Sequence, residues 1–253
     1  MIDENCIERH YIVKKEEEKT IVEIPDEDNI VEEEVLFKAL GFSIYQMLNK
    51  SNLLFEGWRD KKLFKTALER VPSEFKEIKS KFRNVGLSHS LGVKSIRNVV
   101  QVFEFTHRDI LIISDNDDAA VEKQKEFNKE KLYGKWLKYS DVDKKFKQVT
   151  GEDFLKIDYV KKCIIDYKKQ NSAIKTDPDF EKFTKGVLSI LENWLVENDI
   201  KGEAKKDVLN KIKDVLFEGL KPSDITNDYH EFLSLLANHL NLTNVETGST
   251  IRV

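Results

Sequence analysis

Residues 110–118 read Ile110-Leu111-Ile112-Ile113-Ser114-Asp115-Asn116-Asp117-Asp118. An unbroken apolar run stops abruptly in a polar stretch carrying Asp115, Asp117 and Asp118. Continuous apolar sequence of this length is what a parallel strand buried on both faces requires, because neither face meets water. A charged helix is expected after it, to about Lys131. The same order of apolar strand, polar turn and helix occurs twice upstream. Leu53-Leu54-Phe55 leads through Glu56-Gly57 into a helix-like segment ending at Leu68, and Val85-Gly86-Leu87 precedes a helix over Val93 to Phe105. A fourth strand is expected at Trp136–Tyr139. Strand–helix repeats imply right-handed crossovers, and hence an α/β fold with an open parallel sheet flanked by helices.

The flanks read differently. In RHYIVKKEEEKTIVEI, Tyr11–Val13 and Thr20–Ile24 are expected as two short strands, with KKEEEK as the hairpin loop. From Ile30, the spacing of Val31, Val35, Leu36, Ala39 and Leu40 predicts an amphipathic helix ended by Gly41, and a second helix is expected over Ser43–Asn49. Past Lys156, apolar stripes recur at helical spacing: Phe183, Val187, Ile190, Leu191 and Trp194, then Val208, Ile212, Val215 and Leu216, then Phe232, Leu235, Leu236 and Leu240. Such stripes are core. The expected organisation is a strand–helix linker or dimerisation region over 1–50, an α/β domain over 51–155 and a helical C-terminal subdomain over 156–253.

Composition narrows the function classes. With 40% hydrophobic and 35% charged residues, and only 4 Pro and 10 Gly, the chain reads as globular and not as a linker or collagen-like. Cys6 and Cys163 make neither a disulfide framework nor a metal-type pair, which suits a reducing, cytoplasmic setting. MIDENCIERH has no basic and apolar leader, and no apolar run approaches the ~20 residues of a membrane span. The net charge of -4 hides an asymmetry: residues 1–34 hold 13 acidic and 4 basic side chains, so the remainder is net positive. Val121 to Gln148 contains 9 Lys against 5 acidic residues, a stretch able to attract phosphate as well as to form an ordinary solvated face.

In open α/β sheets, functional groups collect at the carboxyl ends of the strands. Three acidic clusters fall there. Glu56 follows the first strand, with Asp60 four residues on and so on the same helical face. Asp115 and Asp117 follow the third strand, and Glu152-Asp153 follows the fourth. Each has a bland use as well, as a helix N-cap or a surface helix start. Gathered in one crevice they would repel and titrate upward, a cost that a divalent cation removes. Mg²⁺ takes oxygen ligands, commonly one or two carboxylates plus phosphate, and two ions can clamp both oxygens of a phosphodiester. His10, His89, His107, His230 and His239 show no ligand spacing, which argues against zinc, and only His89 lies near a strand end. Gly92-Val93-Lys94 could meet a phosphate or simply start a helix, and Trp58 could stack on a base or pack against helices.

Glu56-Gly57 after one apolar strand and Ser114-Asp115-Asn116-Asp117 after another resemble the TOPRIM domain, shared by type IA and type II topoisomerases, bacterial primases and OLD-family nucleases. LLFEGWRDKKLF is similar to the OLD-family form, and so are EEEVLFKALGFSIYQMLNKSNLLFEG, IERHYIVKKEEEKTIVEI and GEDF. The resemblance covers residues 7–155. It implies a nuclease dependent on Mg²⁺ or Mn²⁺, with two ions held by Glu56, Asp60, Asp115, Asp117 and Glu152, and with Glu56 and Asp115 catalytic. It also implies a Lys from the helical extension that stabilises phosphate charge: Lys206 in KGEAKKDVLNKIKD, with Lys205 and Lys211 as rivals. The chain departs from that family in lacking a G-x-x-x-x-G-K-[ST] loop, so ATP control would come from another chain, an ABC-type ATPase, or the sequence is a fragment of an ATPase-nuclease. The partners implied are nucleic acid, DNA ahead of RNA, in phage defence or DNA processing, and a second copy paired through residues 1–50. Two rivals remain at this stage: a non-catalytic TOPRIM module, and a HAD-type phosphohydrolase. The second is disfavoured because Glu56 stands a strand before the Asp motif.

Overall fold

The computed structural model describes residues 12–16, 19–23, 49–90, 92–171, 174–180 and 186–240. The chain divides into two compact units, Met1–Asn49 and Lys50–Val253.

In the first unit, β1 (Ile12–Glu16) and β2 (Lys19–Glu23) pair antiparallel, with Glu16 opposite Lys19. Most of the charged stretch read as a loop is therefore strand. A two-stranded ribbon continues as long as backbone pairs with backbone. The helices expected over 30–40 and 43–49, the dimerisation face assigned to them, and Phe183 lie outside the described residues, Asn49 excepted.

The second unit is built on a parallel sheet of β3 (Ser51–Phe55), β4 (Val85–His89), β5 (Asp109–Ser114) and β6 (Lys135–Lys138), in the order β4-β3-β5-β6. Pairing extends β3 and β4 beyond their apolar runs. Ser51 and Asn52 are buried in register with Asp109 and Ile110, and Ser88 and His89 continue the ladder opposite Leu54 and Phe55. Between the strands run α1 (Trp58–Glu69), the short α2 (Ile78–Lys81), α3 (Ile96–Phe105) and α4 (Asp118–Glu130).

Alternation along the strands separates two layers. Leu54, Ile110, Ile112 and Trp136 face α3 and α4, where Phe127 meets Trp136 edge-on at 5.4 Å between ring centroids. Leu53, Phe55, Leu111, Ile113 and Leu137 face the other way, into the main core with Leu63 and Phe64 of α1.

The helical C-terminal part closes over this second face. After β6 come α5 (Tyr139–Val142), a 3₁₀ turn at Gly151–Phe154, α6 (Ile157–Lys169), α7 (Val187–Glu197), α8 (Gly202–Glu218) and α9 (Asn227–Leu236). Val160, Leu191, Leu216 and Phe232 belong to the same core as the sheet residues, so these helices are a further layer of one unit and make no separate body. A bridge between Leu155 and Ile225 joins the start of α6 to the approach to α9, flanked by Lys156 N–H to Asp224 O at 2.7 Å and Thr226 N–H to Phe154 O at 2.9 Å. Phe154 is fully buried and touches the rings of Tyr139, Phe146, Tyr229 and Phe232. No helix among the described residues is long and apolar enough to cross a membrane.

Because Phe154 sits where sheet and helices share a core, Phe154→Ala is expected to cost about 3–5 kcal/mol in a single cooperative urea transition. A loss under about 1 kcal/mol, or two resolved transitions, would instead mark the helices as an independent body.

Candidate metal centre

The strand order decides where a site can form. From β3 the chain steps to β4 on one side, then returns past β3 to β5 and β6 on the other. The order reverses between β3 and β5, and the crevice outside the carboxyl ends of such a strand pair is where open α/β sheets bind ligands. Phe55 is in register with Ile113, so Glu56 leaves β3 at the same point where β5 ends in Ser114, one residue before Asp115. The Asp115 backbone N–H lies close enough to draw the Glu56 carboxyl group's pKa downward.

Each acidic side chain is fixed differently. The main chain of Glu56 is gripped by the turn after β4, where Ser90 Oγ donates to Glu56 O at 2.9 Å and Gly92 N–H donates to it at 3.0 Å. Its Oε2 is buried without a hydrogen-bond partner. Asp60, in the first turn of α1, accepts the Gly57 N–H at 3.2 Å, and the Gly151 backbone passes so close that a Cβ there would stand 2.9 Å from Asp60 Oδ1. Asp115 Oδ1 accepts the Tyr139 hydroxyl at 2.9 Å, and Tyr139 is itself held between the rings of Phe154 and Phe232. Asp117 caps α4 by accepting Ala120 N–H at 2.7 Å. Glu152, 3% exposed on the 3₁₀ turn, faces the cluster.

Electrostatics tie these groups together. Burial, then Asp60 and Asp117, raises Glu56 from its usual 4.5 to about 7. Burial, then Glu152, raises Asp60 from 3.8 to about 6. Asp115 is pushed well above the carboxylate range by burial and by Asp60, Glu56 and Glu152. Tyr139 is raised likewise, by burial first and Asp115 next, which keeps its hydroxyl a donor.

The cation of the cluster is Lys213 on α8, which pairs with Glu152 at 3.3 Å. Burial alone would lower Lys213, but Glu152, Asp115 and Asp60 outweigh it and hold it charged. Lys206, the lysine expected from sequence, is elsewhere: it is 68% exposed and pairs with Glu203. It lies on nearly the same stripe as Lys213 but seven residues earlier, about 10 Å along the helix. Lys205 pairs with Glu192, and Lys211 is exposed. Next to Lys213, Asp214 accepts from Arg59 Nη2 at 2.6 Å and Nε at 3.1 Å, which fastens α8 to α1.

The remaining candidates resolve simply. Asp153 does not face the cluster. Its carboxylate accepts the N–H groups of Val149 at 2.7 Å, Thr150 at 3.3 Å and Val187 at 2.6 Å. Gly186 permits this, since a Cβ there would stand 2.7 Å from Asp153 Oδ2 and its φ is +89°. Asn116 is structural too, donating to Gln148 O at 2.6 Å and accepting from Ser140 Oγ at 2.8 Å. Trp58 packs on the main core with the Arg59 guanidinium over its ring. His89 ends β4 on the same edge of the sheet.

A divalent cation suits this donor set. The ligands are hard oxygens, their mutual repulsion is relieved by positive charge, and Glu56 Oε2 lacks a partner. Against this, no group of three His, Cys, Asp or Glu side chains among the described residues is gathered tightly enough to cage an ion unaided. Mg²⁺ does not demand such a cage, because it keeps waters and shares phosphate oxygens. The hollow of about 330 Å³ at the opposite end of the strands, beside Ser51, Asn52 and Asp109, contains none of these acids. No family model, curated protein or solved structure matches the chain.

Raised carboxyl groups bind protons more tightly folded than unfolded, so without metal the folded state loses stability as pH rises through about 4.5 to 7. A thermal melt series over that range should show Tm falling toward neutrality, and millimolar Mg²⁺ should flatten the fall. A Tm that rises with pH, or one that Mg²⁺ leaves unchanged, would count against the cluster as described.

Proposed function

We propose that the chain is a metal-dependent nuclease of TOPRIM type that hydrolyses phosphodiester bonds, with DNA ahead of RNA as substrate. The observation that carries this reading is the meeting of Glu56, Asp60, Asp115, Asp117 and Glu152 with partly buried Lys213 at the switch point of a parallel sheet. A bound Mg²⁺ or Mn²⁺ would neutralise the phosphate and lower the pKa of a coordinated water. Glu56, Asp115 and Asp117 would hold it.

The chain's own groups supply the rest. Hydrolysis needs a proton taken from the attacking water and one given to the leaving oxygen. Glu56, a carboxylate once the cation is bound, would take the water's proton, and solvent would supply the proton to the leaving oxygen. Tyr139 orients Asp115 through its 2.9 Å hydrogen bond. The Lys213 ammonium is positioned to stabilise charge that develops on the phosphate. The basic stretch through α4 and β6 offers the backbone of a nucleic acid a non-specific attraction.

A second reading, an interaction module whose acids are structural, draws on the absence of a ready three-ligand cage among the described residues. Plasmid cleavage separates the two. Cleavage is expected with Mg²⁺ or Mn²⁺ and not with EDTA. Glu56→Ala and Asp115→Ala should abolish it with circular dichroism unchanged. Lys213→Ala should lower turnover by roughly 10²-fold, while Lys206→Ala should leave it near wild type. No metal-dependent cleavage, or a loss of only about twofold in Glu56→Ala, would favour the module, since removing a metal ligand costs far more than that.

A further inference from the structure

The two edge strands of the sheet each bring a lysine to the rim of the crevice. After β4, Gly92 N–H is bonded to Glu56 O at 3.0 Å, and Lys94 follows in the 3₁₀ turn Val93–Ser95. Lys94 lines a hollow of about 160 Å³ together with Arg97 and Lys123. Arg97 is spent on Glu130 at 2.9 Å and Lys123 on Glu126 at 2.6 Å. Lys94 is exposed and has no ion pair among the described residues.

At the other edge, β6 ends in Lys138, in register with Ser114, the residue before Asp115. Its side chain is only 16% exposed, yet its ion pair with Asp141 Oδ1 is long, at 3.8 Å, and beyond hydrogen-bond reach. The other oxygen of Asp141 already accepts Lys138 N–H at 3.0 Å and Gln124 Nε2 at 2.6 Å. An ammonium carries three donors, and one this enclosed with so loose a counter-charge is a ready partner for an anion.

The strand order β4-β3-β5-β6 places the acid cluster between these two lysines. The strands that carry them are three spacings apart, about 14 Å, a width that a nucleic-acid strand rising about 3.4 Å per nucleotide crosses in about four nucleotides. Resting on the metal-dependent reading above, we infer that Lys94 and Lys138 hold the phosphates on either side of the one being cleaved. The substrate strand then runs across the strand ends from β4 to β6, with the reacting phosphate at Glu56, Asp115 and Lys213. Such a site favours an internal bond of a continuous strand over a lone phosphodiester, because the outer lysines contribute only where flanking phosphates exist.

Two substrates separate the flanking role from the reacting one, since bis(p-nitrophenyl) phosphate has one phosphodiester and no flanking phosphate. With Mn²⁺, Lys94→Ala, Lys138→Ala and the double variant should cleave DNA more slowly and hydrolyse the small substrate as the wild type does. Lys213→Ala should slow both. Binding of a labelled DNA duplex, followed by anisotropy with Ca²⁺ in place of Mn²⁺, should lose about 0.9 from its salt slope in each single variant and about 1.8 in the double. Lys138→Arg should restore the slope, and Lys169→Ala on α6 should not change it. Lys138→Gln replaces the alanine variant should that fail to fold, and the slope alone decides if the small substrate is not turned over. An unchanged slope in either single variant, or slowed hydrolysis of the small substrate in a folded one, would overturn the flanking role and leave the nuclease reading standing. Slopes that fall as expected without cleavage of either substrate would keep the track and remove the nuclease reading. A chain that neither binds nor cleaves DNA would remove both.

Discussion

Like charge forced together at the ends of β3 and β5 is the constraint on which the site depends. Parallel pairing puts Phe55 beside Ile113, so Glu56 and, one residue beyond Ser114, Asp115 leave adjacent strand ends and cannot separate without breaking the register. That register is held by strands buried on both faces, which gives the repulsion nowhere to relax. The surroundings answer with positive ends of dipoles: the N–H groups of Asp115, Gly57 and Ala120, and the hydroxyl of Tyr139. These do not suffice, since Glu56 still rises to about 7. A full cation from the helical layer is needed, and a cation from solution completes the balance in the proposed function.

α8 delivers that charge through ordinary packing. Ile212, Leu216 and Phe217 bury its apolar stripe and fix its rotation and height. With the stripe in place, Lys213 and Asp214 emerge toward the sheet side and grip opposite charges on different elements, Glu152 on the 3₁₀ turn and Arg59 on α1. The pairs are partly or largely buried, so their value lies in specifying the docking of the helix more than in raw stability. A helix placed by leucines thereby acquires a register set by ions.

Much of this was legible in the sequence and some was not. The parallel strands and the acids at their ends could be read because an apolar run that stops in carboxylates reports both burial and position. The edges of β3 and β4 could not, because Asn52, Ser88 and His89 are held by pairing partners distant in sequence. The lysine that pairs inside the cluster was hard to read for a similar reason. Lys205 and Lys206 stand out locally as a basic pair, yet both point to exposed or half-exposed acids on the helical layer itself. Lys213 carried a quieter signal: it precedes Leu216 and Phe217 by three and four residues, so it shares their buried face. A lysine on a core face needs a counter-charge, and the nearest buried acid is Glu152.

Glu152 and Asp153 show how closely fold and site are joined. They are neighbours on one turn, with the same chemistry, and the turn sends them opposite ways. Asp153 collects three backbone N–H groups, one of them from the start of α7, and Gly186 exists as glycine to let that contact close. Glu152 turns inward to Lys213 on α8. The turn is thus bonded to two successive helices of the added layer, and Phe154 anchors it in the core beneath. Any shift of α7 and α8 against the sheet would strain the Asp153–Val187 bond and the Glu152–Lys213 pair together. The helical layer is therefore a wall of the site, and its docking geometry fixes the position of the partly buried Lys213 ammonium that Glu152 meets.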